Sequence, residues 1–212
     1  MRRHGAGRRR LLAGLAVLAV LFVFPICSLA SALFSARSIP HVLLISFAAP
    51  LLAAGLINVN WSRSVAAGPI SAAGLHALAF WIWHVPALYA AALGHVAVYW
   101  AMQLTLLISA VLVWRAVLDP RTEVPIALLA LLVLVLQMGF LGAVLTFARE
   151  PLYAPHLLTT ATWGLSPFED QQIAGLLMWA PGMLPYVYVT LRVMVRSLVE
   201  HGAWRDMAWS RS

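Results

Sequence analysis

The chain has 212 residues, 63% of them apolar and only 10% charged, and it carries a net charge of +7. A soluble domain usually has about a quarter of its residues charged, and a soluble fold of this size keeps roughly a third of its unfolded surface in water. The composition therefore excludes a free-standing soluble enzyme, a disordered chain and a disulfide scaffold, and it leaves a polytopic membrane protein whose outside meets lipid.

The charges mark the elements. There is no lysine, so all 14 basic residues are arginines. Between the charges lie long runs without Asp, Glu, Lys or Arg: Leu11–Ala36, Ser38–Ser62, Ser64–Trp114, Val124–Ala148 and Gln171–Leu191. A helix needs about 20 apolar residues to cross the hydrocarbon core. Four runs hold one span each, and the 51 residues from Ser64 to Trp114 hold two, divided near Gly94-His95. The expectation is an all-α membrane bundle of six spans over residues 11–34, 39–58, 71–92, 96–118, 124–148 and 170–198. A basic tail over 1–10 precedes this 11–198 membrane domain, and a second tail over 199–212 follows it. The runs lack the period-two alternation of a membrane barrel.

Arginine placement sets the orientation. Twelve of the 14 arginines fall on one side of the six-span arrangement, and only Arg37 and Arg149 on the other. Both termini are thus expected in the cytoplasm of a plasma (inner) membrane protein. The basic N-terminus is then a topology signal at a lipid surface, and no nucleic-acid partner is expected. The first span has the basic flank of a signal peptide and small residues at Ala30-Ser31-Ala32. Its uncharged stretch is longer than a signal's apolar region of about 7–15 residues, which favours a retained span. The single cysteine, Cys27, cannot form an internal disulfide.

Pro25, Pro50, Pro86, Pro181 and Pro185 fall inside expected spans and predict kinks. Between the last two spans lies a loop from Arg149 to Glu169 rich in turn formers. Ser166-Pro167-Phe168-Glu169 reads as a capping box, with Ser166 at the N-cap, Pro167 first in the helix and Glu169 closing the box. Asp170 suits the same helix dipole, and Gln171 and Gln172 carry polar groups into the span.

The histidines are the candidates for chemistry. His41, His84, His95 and His156 fall on the outer side, while His76 lies in the cytoplasmic half of the third span. Ionisable groups inside spans usually face the bundle interior, and neutral imidazole suits copper, zinc and haem iron. His76 and His84 stand about 12 Å apart along a helix axis and cannot share an ion. A metal at His84 draws on His41, with His156 or Asp170 from above. Met138, Met178 and Met183 are thioethers inside spans, a donor type that favours Cu(I), although methionine is also common packing filler. Each intramembrane histidine has a plainer role too, in bonding a neighbouring helix, and Trp81, Trp83, Trp100 and Trp163 read as belt or packing residues. No nucleophile–base pair, phosphate loop or HExxH zinc motif is present, so no enzyme is expected.

Four segments carry a resemblance. They are Phe34-Ser35-Ala36-Arg37-Ser38-Ile39-Pro40-His41 with Ala49-Pro50-Leu51-Leu52, then Trp83-His84-Val85-Pro86-Ala87-Leu88-Tyr89, then Gln137 through Tyr153, and Trp163 through Gly182 with its Asp170-Gln171-Gln172 string. In these the chain resembles the multi-span CtaG-like cytochrome c oxidase assembly proteins of the caa-type branch. The resemblance implies a non-catalytic membrane assembly factor that meets cytochrome c oxidase subunits in the lipid bilayer and assists copper delivery. On that reading His41 and His84 are the preferred copper ligand pair, with His156 and Asp170 as outer partners and Gln171, Met178, Trp83 and Gln103 as further site residues. The chain departs from the family in three places. The resemblance leads us to expect a further span before the first that this sequence does not show, and Arg37 and Gln103 stand where the family has histidines. Arginine cannot ligate copper and repels cations. The alternative function is a small transporter of a metal ion or solute whose path runs past Gln103 and Gln137, and a haem-binding electron carrier is a further rival. The sequence has no inverted repeat of the kind many transporters carry.

Overall fold

The computed structural model describes residues 2–23, 31–57, 59 and 68–209, with side chains placed for 5–22, 31–57, 59 and 68–199. Its elements are helices, and no strand occurs among the described residues. In chain order they are α1 (Arg2–Val23), α2 (Phe34–Leu43), a π-helical turn (Leu44–Ala48), α3 (Ala49–Gly55), α4 (Pro69–Trp83), α5 (Pro86–Gly94), α6 (Val96–Leu118), α7 (Val124–Phe147) and α8 (Pro167–Trp209). Two short 3-10 turns, Ala154–His156 and Ala161–Trp163, shape the loop between α7 and α8.

Four helical stretches among the described residues are long and apolar enough to cross a membrane: Phe34–Gly55, Val96–Leu118, Val124–Phe147 and Pro167–Val199. The bent pair α4–α5 makes a fifth if its limbs are one span. The expected first span maps onto α1 and onto residues 24–30, which lie outside the described residues together with Pro25 and Cys27. Arg63, expected in the cytoplasmic turn, also lies outside them.

Three boundaries differ from expectation, each for a physical reason. The second span begins at Phe34 rather than residue 39, because its first amides find an acceptor on a distant helix. The third span, expected as one helix over 71–92, breaks after Trp83 into limbs 74° apart. Pro86 pushes Val85 into the extended region (φ −64°, ψ 125°), as a proline does to the residue before it. The last helix runs on to Trp209, so the part of the expected tail over 199–209 continues it. Pro181 and Pro185 sit inside this helix without interrupting it.

The π-helical turn lies just before Pro50, whose ring crowds the carbonyl four residues earlier. Widening the turn relieves that crowding and turns carbonyls outward. One of them, Ile45 O, accepts the indole N–H of Trp114 at 2.8 Å. Trp114 is fully buried and stacks on Tyr186 of α8, with ring centroids 4.9 Å apart. This contact joins α2–α3, α6 and α8 in one core.

Helices α7 and α8 approach closely at two glycines. A Cβ added to Gly175 would lie 2.7 Å from Gly142 O and 2.5 Å from Thr146 Oγ1. Small residues let backbones meet in this way where no water drives the helices together. Large apolar side chains face outward, among them Leu136, Phe140, Leu184, Tyr188 and Leu198. Patches of this extent are rare on soluble monomers, and here they give the bundle an apolar outer surface.

Candidate functional site

His41 stands on α2 and His84 at the end of α4, both buried, with ring centroids 6.3 Å apart and planes at 73°. Phe80, Leu106, Met138 and Met178 join the two imidazoles around one small cavity.

Hydrogen bonding fixes the free nitrogen of each ring. Gln103 on α6 directs its amide nitrogen at the Tyr99 hydroxyl, 3.4 Å away, so its oxygen faces His41. That oxygen lies 2.9 Å from His41 Nε2 and can only accept, so Nε2 carries the proton and Nδ1 keeps a lone pair. His84 Nδ1 lies 2.6 Å from the Phe80 carbonyl, which also only accepts. His84 therefore keeps its lone pair on Nε2. The helix break positions this second ring. His84 caps α4 with φ −95° and ψ 0°, and its own carbonyl accepts the Tyr153 hydroxyl at 2.9 Å. Burial pushes the Tyr153 phenol well above its usual range, which keeps it protonated as that donor.

The other two proposed ligands are engaged elsewhere. Asp170 accepts from the backbone N–H groups of Phe34 (2.7 Å) and Ser35 (3.1 Å) and from the Ser35 hydroxyl. It thus caps α2 from α8, rather than serving only the start of its own helix. His156 donates from Nδ1 to Ala32 O (3.3 Å) and accepts the Tyr89 hydroxyl on Nε2 (2.7 Å), so both its nitrogens are occupied. Burial holds the His156 imidazole below its usual range, against the opposing pull of the Ala32 bond and the Asp170 charge. Phe34, Tyr89, Tyr153 and His156 pack into one aromatic group at this end of the bundle. The structure therefore brings His41 and His84 together and leaves His156 and Asp170 in a separate frame. Among the described residues no three His, Cys, Asp or Glu side chains converge to hold a metal.

The remaining candidates divide in the same way. Gln103 orients His41, and buried Met178 lines the cavity beside Met138. Gln171 accepts Leu152 N–H at 2.6 Å and donates to Leu145 O at 3.2 Å, fastening the loop and the end of α7 to α8. Trp83 donates to Thr105 Oγ1 at 2.9 Å and fastens α4 to α6. His76 lies in its own buried contact, 2.9 Å from Ser109 Oγ. The predicted capping box is present: Ser166 N and Oγ donate to Glu169 Oε2 at 2.8 Å, and Glu169 N donates to Ser166 Oγ at 3.2 Å.

Sequence reasoning assigned no role to Tyr89, Tyr153 or Ser35. A usable signal existed for the tyrosines, since a buried hydroxyl needs a partner and both sit beside proline turns. Ser35 gave none.

No curated protein matches the chain, and no solved structure does. Residues 10–199 match the family described as cytochrome c oxidase caa3 assembly factor (Caa3_CtaG), which is a family of assembly factors rather than catalysts. That match spans all four helical stretches able to cross a membrane and both imidazoles of the cavity, and the chain belongs to the cytochrome c oxidase caa3 assembly factor family.

Proposed function

We propose that the protein is an integral membrane assembly factor that carries Cu(I) between His41 and His84 on its way to a nascent oxidase subunit. The observation behind this is the facing pair itself. Two neutral imidazoles each have one nitrogen committed to a fixed acceptor and the other left as a lone-pair donor. Metal–imidazole bonds of about 2.0 Å place two rings that share one ion at centroid separations of about 6 Å, comparable with the 6.3 Å between these rings. The donor set fits copper in its reduced state. Two imidazoles and two thioethers are soft to borderline ligands without charge, which suits Cu(I) better than a hard or divalent ion. His156 and Asp170 are the frame that holds α2 and the loop in place, and Met138 and Met178 take their place in the ligand set.

Copper is cargo here and not a resident cofactor. By the arginine bias the α7–α8 loop lies on the extracytoplasmic side, with both termini in the cytoplasm of the inner membrane. The pair then sits beneath that loop, on the side from which an oxidase copper site would be loaded.

The test is a strain carrying His84→Ala, with His84→Gln beside it. Both proteins are expected to accumulate normally while oxidase activity and the copper content of the isolated oxidase fall. Wild-type activity with wild-type copper in both strains would remove the pair from the mechanism.

A further inference from the structure

Arg37 stands one helical turn before His41 on α2, so the two side chains share a face. Its guanidinium carbon lies 5.7 Å from the Tyr89 ring centroid and 5.4 Å from that of Tyr99. Its Nε is buried and has no hydrogen-bond acceptor among the described residues. Asp170 keeps its negative charge but bonds Phe34 N–H, Ser35 N–H and the Ser35 hydroxyl, and it forms no ion pair with Arg37 among the described residues. The charge is therefore held by aromatic faces, which attract a cation without neutralising it.

The placement is rigid. Arg37 and His41 on α2 match Tyr99 and Gln103 on α6, each pair four residues apart. Arg37 lies over Tyr99, His41 bonds Gln103, and Gln103 bonds the Tyr99 hydroxyl at 3.4 Å. The guanidinium thus rests on the same Tyr99 whose hydroxyl orients Gln103 and, through it, the imidazole.

We infer that Arg37 is a specificity-determining residue: its charge, held by aromatic rings rather than by an ion pair, lets the His41–His84 pair accept a monovalent soft cation and disfavours divalent cations. The inference rests on the copper reading only for which cation enters. The imidazoles and thioethers bring no negative charge, so nothing within the ligand set itself offsets the repulsion between an ion and the guanidinium. For a guanidinium within ~10 Å of the ion and an effective dielectric of about 20, the second unit of charge lowers affinity on the order of tenfold or more.

The experiment is a divalent-ion titration of purified full-length protein in detergent. Co(II) is followed by its visible absorption and Zn(II) by competition with a chromophoric chelator. Wild type is compared with Arg37→Gln, Arg37→Lys and the double variant Arg37→Gln/His84→Ala. Arg37→Met serves as a second neutral variant if Arg37→Gln does not fold. The neutral variants are expected to gain tenfold or more in Co(II) and Zn(II) affinity, Arg37→Lys to stay at the wild-type level, and the double variant to lose the gain. No gain in the neutral variants, or an equal gain in Arg37→Lys, overturns the inference. A parallel Cu(I) titration of wild type and His84→Ala tests the copper reading separately: equal Cu(I) binding by both sinks that reading, while the divalent arm still decides the role of Arg37.

Discussion

Gln103 accepts the Nε2–H of His41 at 2.9 Å and thereby decides which nitrogen of that ring stays free. The partner lies on another helix, so the ligand's orientation is a property of how α2 and α6 pack. Gln103→Leu keeps the bulk and removes the acceptor. It is expected to lower Cu(I) affinity by about 10–100-fold, the usual penalty for losing an outer partner of a ligating histidine, measured by competition with a colorimetric Cu(I) chelator. An unchanged affinity would mean that Gln103 does not orient a ligand.

Asp170→Ala should separate framework from ligand. It strips three donors at the start of α2 of their acceptor, and loss of a capping side chain alone costs about 0.5–2 kcal/mol. Thermal unfolding in detergent should move to lower temperature, while the Cu(I) stoichiometry of the surviving folded protein stays at that of wild type. A lost copper equivalent at unchanged stability would return Asp170 to the ligand set.

Gly175→Ala should be strongly destabilising, since its methyl group would meet Gly142 O at 2.7 Å. Backbone cannot move aside as a flexible side chain can, and overpacking of this kind costs about 1–3 kcal/mol. Gly74→Ala is the control, because its Cβ would meet nothing within 4 Å. Melting curves of the two variants should shift apart, with Gly74→Ala equal to or above wild type through helix propensity.

The loop frame should weaken in acid. The His156 imidazole is held below its usual range, chiefly by burial. A base whose folded pKa is depressed contributes stability that is complete above its unfolded value of about 6.5, and that stability falls as pH drops from there toward the folded value. Protonation would also remove the Nε2 lone pair that accepts the Tyr89 hydroxyl. Between pH 7.5 and 5 the melting temperature of wild type should therefore fall further than that of His156→Asn. Parallel pH curves for the two proteins would show that His156 contributes no such dependence.

Much of the bundle could be read from the charges. The run free of Asp, Glu and Arg located α7 to within a residue or two, because a span in lipid leaves little choice about where charges fall, and the Gly94-His95 division placed the start of α6. The capping box at Ser166–Glu169 was equally legible, since all its partners are local. The start of α2 was not, because Asp170 supplies its cap from 136 residues away. Nor was the full break at His84, since a proline in an apolar run announces a kink without saying how far the limbs part.

At the site, helix spacing paired His41 with His84 correctly in space, but it could not show that His156 and Asp170 already have partners. That information lies in hydroxyls and carbonyls of other helices, and hydropathy carries no trace of it. Met138 was visible only as a thioether in a span, and its position on the cavity wall follows from how α7 meets α8.

The wide turn at Leu44–Ala48 has a consequence for how this chain can vary. It holds a surplus residue between the imidazole of His41 and the wall that anchors Trp114. Excising one amino acid there would rewind the segment to ordinary pitch with its flanks still nearly in phase, and the carbonyl now turned toward Trp114 would return to the helix's own ladder. Letters in this stretch are free to be exchanged for others of like size, yet its length is not free to shrink.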